Sequence, residues 1–473
     1  MVEKIGHKFK QFSSVRIVNC SLILMQSCMS SLTSGLFAAW PSPFIVKITQ
    51  DMENYDISED QASYFTIWIN VGIVVLSAFF TIFRIPDMIG RKRTLMLTAI
   101  PHGSSWLMKA FSTNLYILNL ARFTAGLGDA ILFASLPAYI GEITTPRIRG
   151  VWGNGLICSL FLGQFLMNVI GAYCSVQQTS FICLTIPVIF LVLFSLMPES
   201  PYFYAMKGRE EEAKIALQRL RGTDAVEEEL TDLNSAVRRQ MSETGTWKDL
   251  ILLRSNRKAL TAALFLRVSQ VLAGIYVFTS YTQFIFQKAG GNLSSEMSSI
   301  IYVGLSSLMF SVGAYFADEF GRRKSYTISS GLSSIVLLSE AVYFYIESNH
   351  PELNIDNIQW FPLAGMIIFI VFTSFGVAII PTLMLGELFS TSIKSKAVGV
   401  VTTLFGLFVF FANYIFYFIN SYTGLYGPFL LFGCCSLVSC IFTNYLVPET
   451  KGKSLEEIQQ ILNGKSTYSD IKE

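Results

Sequence analysis

Asp87-Met88-Ile89-Gly90-Arg91-Lys92-Arg93 is written a second time as Asp318-Glu319-Phe320-Gly321-Arg322-Arg323-Lys324, and the passage from Pro137 through Glu142 to Arg149 returns as Pro381, Glu387 and Lys394. The two spacings are nearly equal, 318 − 87 = 231 and 387 − 142 = 245. A chain that repeats its charged clusters half a molecule apart is a duplicated one. Each cluster lies at the edge of a long apolar stretch, and parallel repeats within a membrane are a mark of transport proteins.

Of the 473 residues, 52% are hydrophobic and only 14% charged, with a mean hydropathy of +0.49, too few charges to cover a soluble globule. The expected partner is the lipid bilayer. A net charge of +2 without a polybasic block gives no sign of nucleic acid. The eight cysteines fall in or beside apolar runs without CxxC pairs or a His/Cys cluster, so neither a metal, a cofactor nor a disulfide framework is expected. No phosphate-binding loop and no nucleophile beside a base stands in the spans, which argues against an enzyme. The first apolar run has no small-residue cleavage site and is expected to act as its own insertion signal.

Stretches long enough to cross a core of about 30 Å, roughly 20 residues each, run from Ile17 to Trp40, Ala62 to Phe83, Thr94 to Phe111, Leu115 to Ile140, Val151 to Tyr173 and Phe181 to Leu196. Six more run from Leu260 to Phe286, Ile300 to Ala317, Tyr326 to Ile346, Trp360 to Leu385, Ala397 to Ile419 and Pro428 to Leu446. The expected class is therefore an all-α membrane protein of twelve transmembrane helices in two bundles of six. His102 and Lys109 interrupt the third stretch.

Basic residues orient the chain, because short positive loops stay cytoplasmic. Lys4, Lys8, Lys10 and Arg16 precede the first span; Arg84, Arg91 to Arg93, Arg147, Arg149, Arg322 to Lys324, Lys394, Lys396, Lys451, Lys453 and Lys465 follow even-numbered spans. Both termini are expected in the cytoplasm. The first outer loop is acidic, and Asn292-Leu293-Ser294 is a glycosylation sequon on the same outer side. The expected division is a cytoplasmic N-terminus (1–16), a first bundle (17–206), a cytoplasmic helical linker (207–258), a second bundle (259–447) and a cytoplasmic tail (448–473). Within the linker, Glu210 to Arg221 and Ala225 to Gln240 carry apolar residues at helical spacing, and the tail from Ser454 to Ile461 reads as a short helix with Ser454 as N-cap.

Glu142 with Arg149, and Glu387 with Lys394, stand seven residues apart, too far to close easily along one helix. Their natural partners are cations on other segments, such as Arg91 and Arg322, in pairs suited to latch two bundles and release them. These residues, together with Arg122, Gly126 and Gly128, Pro137-Ala138-Tyr139-Ile140-Gly141-Glu142, Pro198-Glu199-Ser200-Pro201 and Pro448-Glu449-Thr450-Lys451-Gly452, resemble the sugar porter family of the major facilitator superfamily. Ala39-Trp40-Pro41-Ser42-Pro43 makes the chain most similar to its facilitated trehalose transporter-like branch.

The resemblance implies a monomer in the plasma membrane whose two bundles rock about a central site, carrying a sugar (hexose or trehalose) or related polyol downhill. The implied cytoplasmic gate comprises Arg91, Glu142, Arg149, Glu199, Asp318, Arg322, Glu387, Lys394 and Glu449. Lys394 stands where the family usually has arginine, so the second latch is expected to be looser. The family's span-seven sugar motif reads here Gln270-Val271-Leu272-Ala273-Gly274-Ile275-Tyr276, a remodelled pocket in which Gln270, Tyr276, Thr279 and Tyr281 are the candidate substrate contacts. Arg122 and Asp129, seven residues apart, are expected to form an intramembrane ion pair. The competing readings are a sugar sensor that moves little ligand and a proton-coupled symporter.

Overall fold

A computed structural model describes residues 26–144, 146–242, 245–350, 352, 356–390, 392–453 and 455–463. Lys4, Lys8, Lys10, Arg16, the start of the first span at Ile17, Ser454 as a cap and Lys465 lie outside the described residues, as do the side chains of Arg147, Arg149 and Asp318. Every regular element among the described residues is helical. Nine helical segments there are long and apolar enough to cross a membrane: Glu59–Phe83, Leu115–Ile143, Gly155–Tyr173, Val176–Ser195, Arg254–Ala289, Ser295–Gly313, Arg322–Asn349, Lys394–Thr423 and Tyr426–Leu446.

The other three expected crossings are broken helices, and their sequences say why. The first runs over 26–39, turns at Trp40 and continues as Pro41–Gln50; prolines at 41 and 43 withhold the donors that residues 37 and 39 need. The third divides into Arg91–Met96 and Ala99–Phe111. The tenth divides into Phe361–Ser374 and Ile380–Glu387. The seventh, though long overall, breaks at Gly274, whose φ of +86° suits glycine, into Arg254–Leu272 and Ile275–Ala289.

The expected linker helices are present as Glu210–Arg221 and Glu227–Ser242, joined by Pro201–Met206 and Trp247–Leu252, and the tail helix as Leu455–Asn463.

Without a hydrophobic drive between apolar helices, close packing of small residues holds the spans together. A Cβ on Gly35 would stand 1.9 Å from the Leu160 carbonyl oxygen, and one on Gly163 2.2 Å from that of Leu32, so the first and fifth spans meet backbone to backbone. Gly72 and Gly126 join the second and fourth spans in the same reciprocal way, at 2.3 Å from Phe123 O and 2.0 Å from Ile69 O. Among the described residues the halves also meet between the second and eleventh spans and between the fifth and eighth. Gly399 of the eleventh span abuts Thr81 of the second, while Ser307 of the eighth donates to the Phe161 carbonyl of the fifth at 2.9 Å.

Candidate functional site

At the basic end of the first half, Gly90 has φ +104° and precedes the helix Arg91–Met96. A Cβ there would lie 2.3 Å from Glu199 Oε2, so glycine is required on two counts. Glu199 Oε1 accepts the Lys92 and Ser200 amides, each at 2.9 Å, a carboxylate seated on a positive helix start. The Arg91 fork lies on Glu142, with Nε 3.0 Å from Oε1 and Oε2, while Nη2 reaches Asp87 at 2.8 Å and Nη1 the Pro86 carbonyl at 3.2 Å. Ser200 Oγ donates to the other side of Glu142. Tyr202 and Phe203 cover the guanidinium at 5.6 and 5.7 Å; burial, reinforced by Glu142, raises the Tyr202 phenol above its ordinary pKa and keeps it neutral beside the pair.

The second half repeats the design. Gly321 has φ +88°, and Glu449 accepts the amides of Arg322, Thr450 and Lys451 at 3.0 Å and that of Arg323 at 3.1 Å. Arg322 approaches Glu387 Oε1 with Nε at 3.2 Å and Nη2 at 3.0 Å, and Thr450 Oγ1 donates to Oε2. Lys394 gives its ammonium to the Gly386 carbonyl at 2.7 Å. Side-chain exposure of the first pair is 5% and 15%, and of the second 14% and 28%, so the second cluster is the wetter.

Two expectations about these residues change. The described pairs, Arg91 with Glu142 and Arg322 with Glu387, each join segments of one half rather than latching the halves to each other. Glu199 and Glu449 satisfy backbone amides rather than arginines; the spacing of charges pointed to the cluster, but the unpaired amides of a helix start compete well for a carboxylate.

Bonds between the halves gather at the opposite, acidic end. Lys288 Nζ meets Glu59 Oε1 at 3.2 Å. Tyr417 donates to Asp60, the Tyr281 hydroxyl lies 3.1 Å from Thr66 Oγ1, and the Gln283 amide donates to Ser42 Oγ at 3.2 Å. Tyr281 is thus part of a seal between halves.

Deeper in the second half, Gln270 has both ends of its amide engaged: Nε2 donates to the Ala378 carbonyl at 2.7 Å, and Oε1 accepts from Arg267 Nη1 at 2.9 Å. Ala378 lies in the break of the tenth span, so Gln270 ties two broken helices together. Arg267 lies 5.0 Å over Phe405, which Tyr276 meets edge-on at 5.1 Å. Thr279 returns its hydroxyl to the Ile275 carbonyl at 3.0 Å. Tyr276, Arg267 and Phe405 are half-buried and form one polar and aromatic corner. The role of Arg267 was not read from the sequence, although an arginine inside a span was the signal for it.

The expected Arg122–Asp129 pair gives way to other partners. Arg122 Nη1 donates to the Phe37 carbonyl at 2.5 Å and Nε to that of Phe65 at 2.7 Å. Phe37 O is the acceptor that Pro41, lacking N–H, leaves without its helical donor. Asp129 faces His102, 3.3 Å away. Beside them the buried Lys109 ammonium sits 4.4 to 4.6 Å from the rings of Phe37, Trp40 and Trp106, a cage of cation–π contacts. Glu340 takes the matching place in the ninth span, since 340 − 109 = 231, the offset of Arg322 from Arg91. It is wholly buried, neither of its oxygens has a hydrogen-bond partner among the described residues, and a Cβ on Gly365 would come 1.7 Å from Oε1.

Residues 20–462 match the family profile described as "Sugar (and other) transporter". The facilitated trehalose transporter Tret1 of Polypedilum vanderplanki is 33% identical over 449 residues, 92% of this chain and 86% of that protein. Tret1 of Culex quinquefasciatus is 31% identical over 465 residues, 95% and 88% of the respective chains. The inward open conformation of the xylose transporter XylE from E. coli superposes with a TM-score of 0.76 at 18% identity, over 93% of this chain and 99% of that one. The proton:xylose symporter XylE bound to 6-bromo-6-deoxy-D-glucose gives 0.71 at 18% identity, over 94% and 100%.

Proposed function

The chain belongs to the sugar porter family of the major facilitator superfamily, a multi-pass membrane protein that transports sugar, and from that premise we propose that it is a facilitative carrier of a hexose, trehalose or a related polyol, working by alternating access. The observation that carries this reading is the seal at the acidic end, where Tyr281, Gln283, Lys288 and Tyr417 of one half hold Thr66, Ser42, Glu59 and Asp60 of the other, while the described ion pairs at the basic end stay within their own halves. A molecule closed at one end by breakable bonds and hinged elsewhere by close helix packing can expose its centre to each side in turn. The two Tret1 relatives support trehalose among the candidates.

The carrier acts as a monomer in the plasma membrane with its basic end and both termini in the cytoplasm; Asn292, exposed at the acidic end, then faces the glycosylating compartment. Arg91–Glu142 and Arg322–Glu387, with Glu199 and Glu449 fixing the helix starts, keep each half rigid at the cytoplasmic side, and Arg149, Asp318 and Lys394 belong to the same gate. The corner of Tyr276, Thr279, Arg267 and Phe405, with Gln270 behind it, is the substrate contact in the second half: hydroxyls stripped of water need such donors beside an aromatic face.

Purified protein in liposomes should take up radiolabelled trehalose, glucose or a polyol to equilibrium and no further, with the same initial rate whether or not a proton gradient is imposed. Saturable binding without flux would point instead to a sensor. A second reading, proton-coupled symport, draws on the buried Asp129–His102 contact; uptake above equilibrium that needs the proton gradient and is lost in Asp129→Asn would establish it in place of the facilitative one.

A further inference from the structure

A cavity of 440 Å³ opens at the basic end of the second half, lined by Arg257, Lys258 and Thr261 from the first turns of the seventh span, Arg323 from the start of the ninth, and Tyr445 and Leu446 from the end of the twelfth. Its size falls within the roughly 300–1,000 Å³ of small-ligand pockets. Three cations from two separate helices converge there, and among the described residues none of the three side chains has a hydrogen bond or ion pair to the protein. The Glu449 carboxylate, on the segment that continues from the cavity wall, is already taken up by the amides of Arg322, Arg323, Thr450 and Lys451.

The helix that supplies Arg257 and Lys258 adds to the imbalance. It starts after Leu253 with no side-chain cap and no acidic residue in its first turn, so nothing on the helix itself offsets its positive end. On the other side the wall is formed by Ile461 and Leu462 of the tail helix and by the end of a bilayer-crossing helix, where Tyr445 is 81% exposed and Leu446 37%, and where a tyrosine sits at the level of lipid headgroups.

Unpaired cations around a hollow call for an anion with several acceptor oxygens, and two arginine forks suit a phosphate better than a single carboxylate. A wall of exposed span-end residues suits a ligand that also carries hydrocarbon. We propose that this cavity binds a phosphomonoester group, presented by an anionic phospholipid of the leaflet at the basic end. Basic pockets between spans at a cytoplasmic surface hold such headgroups by this combination of charge and lipid contact. A soluble organophosphate offers the same head without the chains.

Full-length protein in uncharged detergent micelles separates the sources by equilibrium binding of dioctanoyl phosphatidic acid, glycerol 3-phosphate and dioctanoyl phosphatidylcholine. Phosphatidic acid should bind saturably, with phosphatidylcholine and glycerol 3-phosphate each at least tenfold weaker. In the triple variant Arg257→Gln, Lys258→Gln, Arg323→Gln its affinity should fall about a hundredfold, at about a factor of five for each cation. The variant Arg257→Lys, Arg323→Lys keeps the charges and should lose less than tenfold, which separates loss of the site from loss of the fold. Phosphatidic acid bound no more tightly than phosphatidylcholine, or equally well by a monodisperse triple variant, overturns the site. Glycerol 3-phosphate bound as tightly as the lipid overturns the membrane as its source. None of these outcomes depends on which sugar is carried.

Discussion

Arg122 shows how a charge inside a membrane can be justified by a proline on another helix. Pro41 bends the first span and strips Phe37 O of its donor, and the guanidinium replaces that donor from the fourth span at 2.5 Å. Leaving a buried acceptor unpaired costs about 1–3 kcal/mol. Arg122→Leu should therefore lower the thermal unfolding midpoint in detergent, and Pro41→Ala, which restores the missing N–H, should recover part of that loss in the double variant. A double variant no more stable than Arg122→Leu alone would show that the carbonyl is not what Arg122 serves. The sequence made the Arg91–Glu142 and Arg322–Glu387 partners legible, because charges repeated at matched sites have few places to go. It hid the partner of Arg122, since a carbonyl freed by a distant proline leaves no mark in spacing, and the seven-residue interval to Asp129 suggested a simpler match. Gln270 was legible as a ligand contact or a helix-packing amide in equal measure, but not its partner, because the acceptor Ala378 O exists only through the break in the tenth span.

Among the elements, the long uniform spans were read correctly to within a few residues, whereas broken ones were read as continuous. Apolar periodicity reports burial and is silent about a helix that stops and restarts, as at Gly274 or between Ser374 and Ile380. Where the ninth and tenth spans meet, Glu340 Oε1 stands where a Cβ of residue 365 would be. Gly365→Ala should cost about 1–3 kcal/mol by overpacking, seen as reduced detergent stability. Adding Glu340→Ala removes the obstructing carboxyl, so the double variant should be more stable than Gly365→Ala alone. If the two losses simply add, the carboxyl does not set the spacing of these helices.

For the whole molecule, the balance between its two faces rests on a modest seal. An exposed ion pair such as Lys288–Glu59 contributes about 0.2–1 kcal/mol, and a buried hydroxyl bond such as Tyr281–Thr66 about 0.5–1.5 kcal/mol, so a substrate with a few kcal/mol of differential affinity can open it. Lys288→Glu should raise labelling of a Tyr276→Cys reporter from the acidic side by up to about fivefold, and the exchange Glu59→Lys with Lys288→Glu should restore the original rate; labelling unchanged in both would show that the pair does not help close the acidic end. Lys109 makes the third span dependent on the first. Of the three rings about its ammonium, Trp106 belongs to the helix Ala99–Phe111 itself, while Phe37 and Trp40 come from the first span. The third span thus carries a charge that lipid alone would not shelter, and its place in the bilayer is secured by the neighbour that completes the cage.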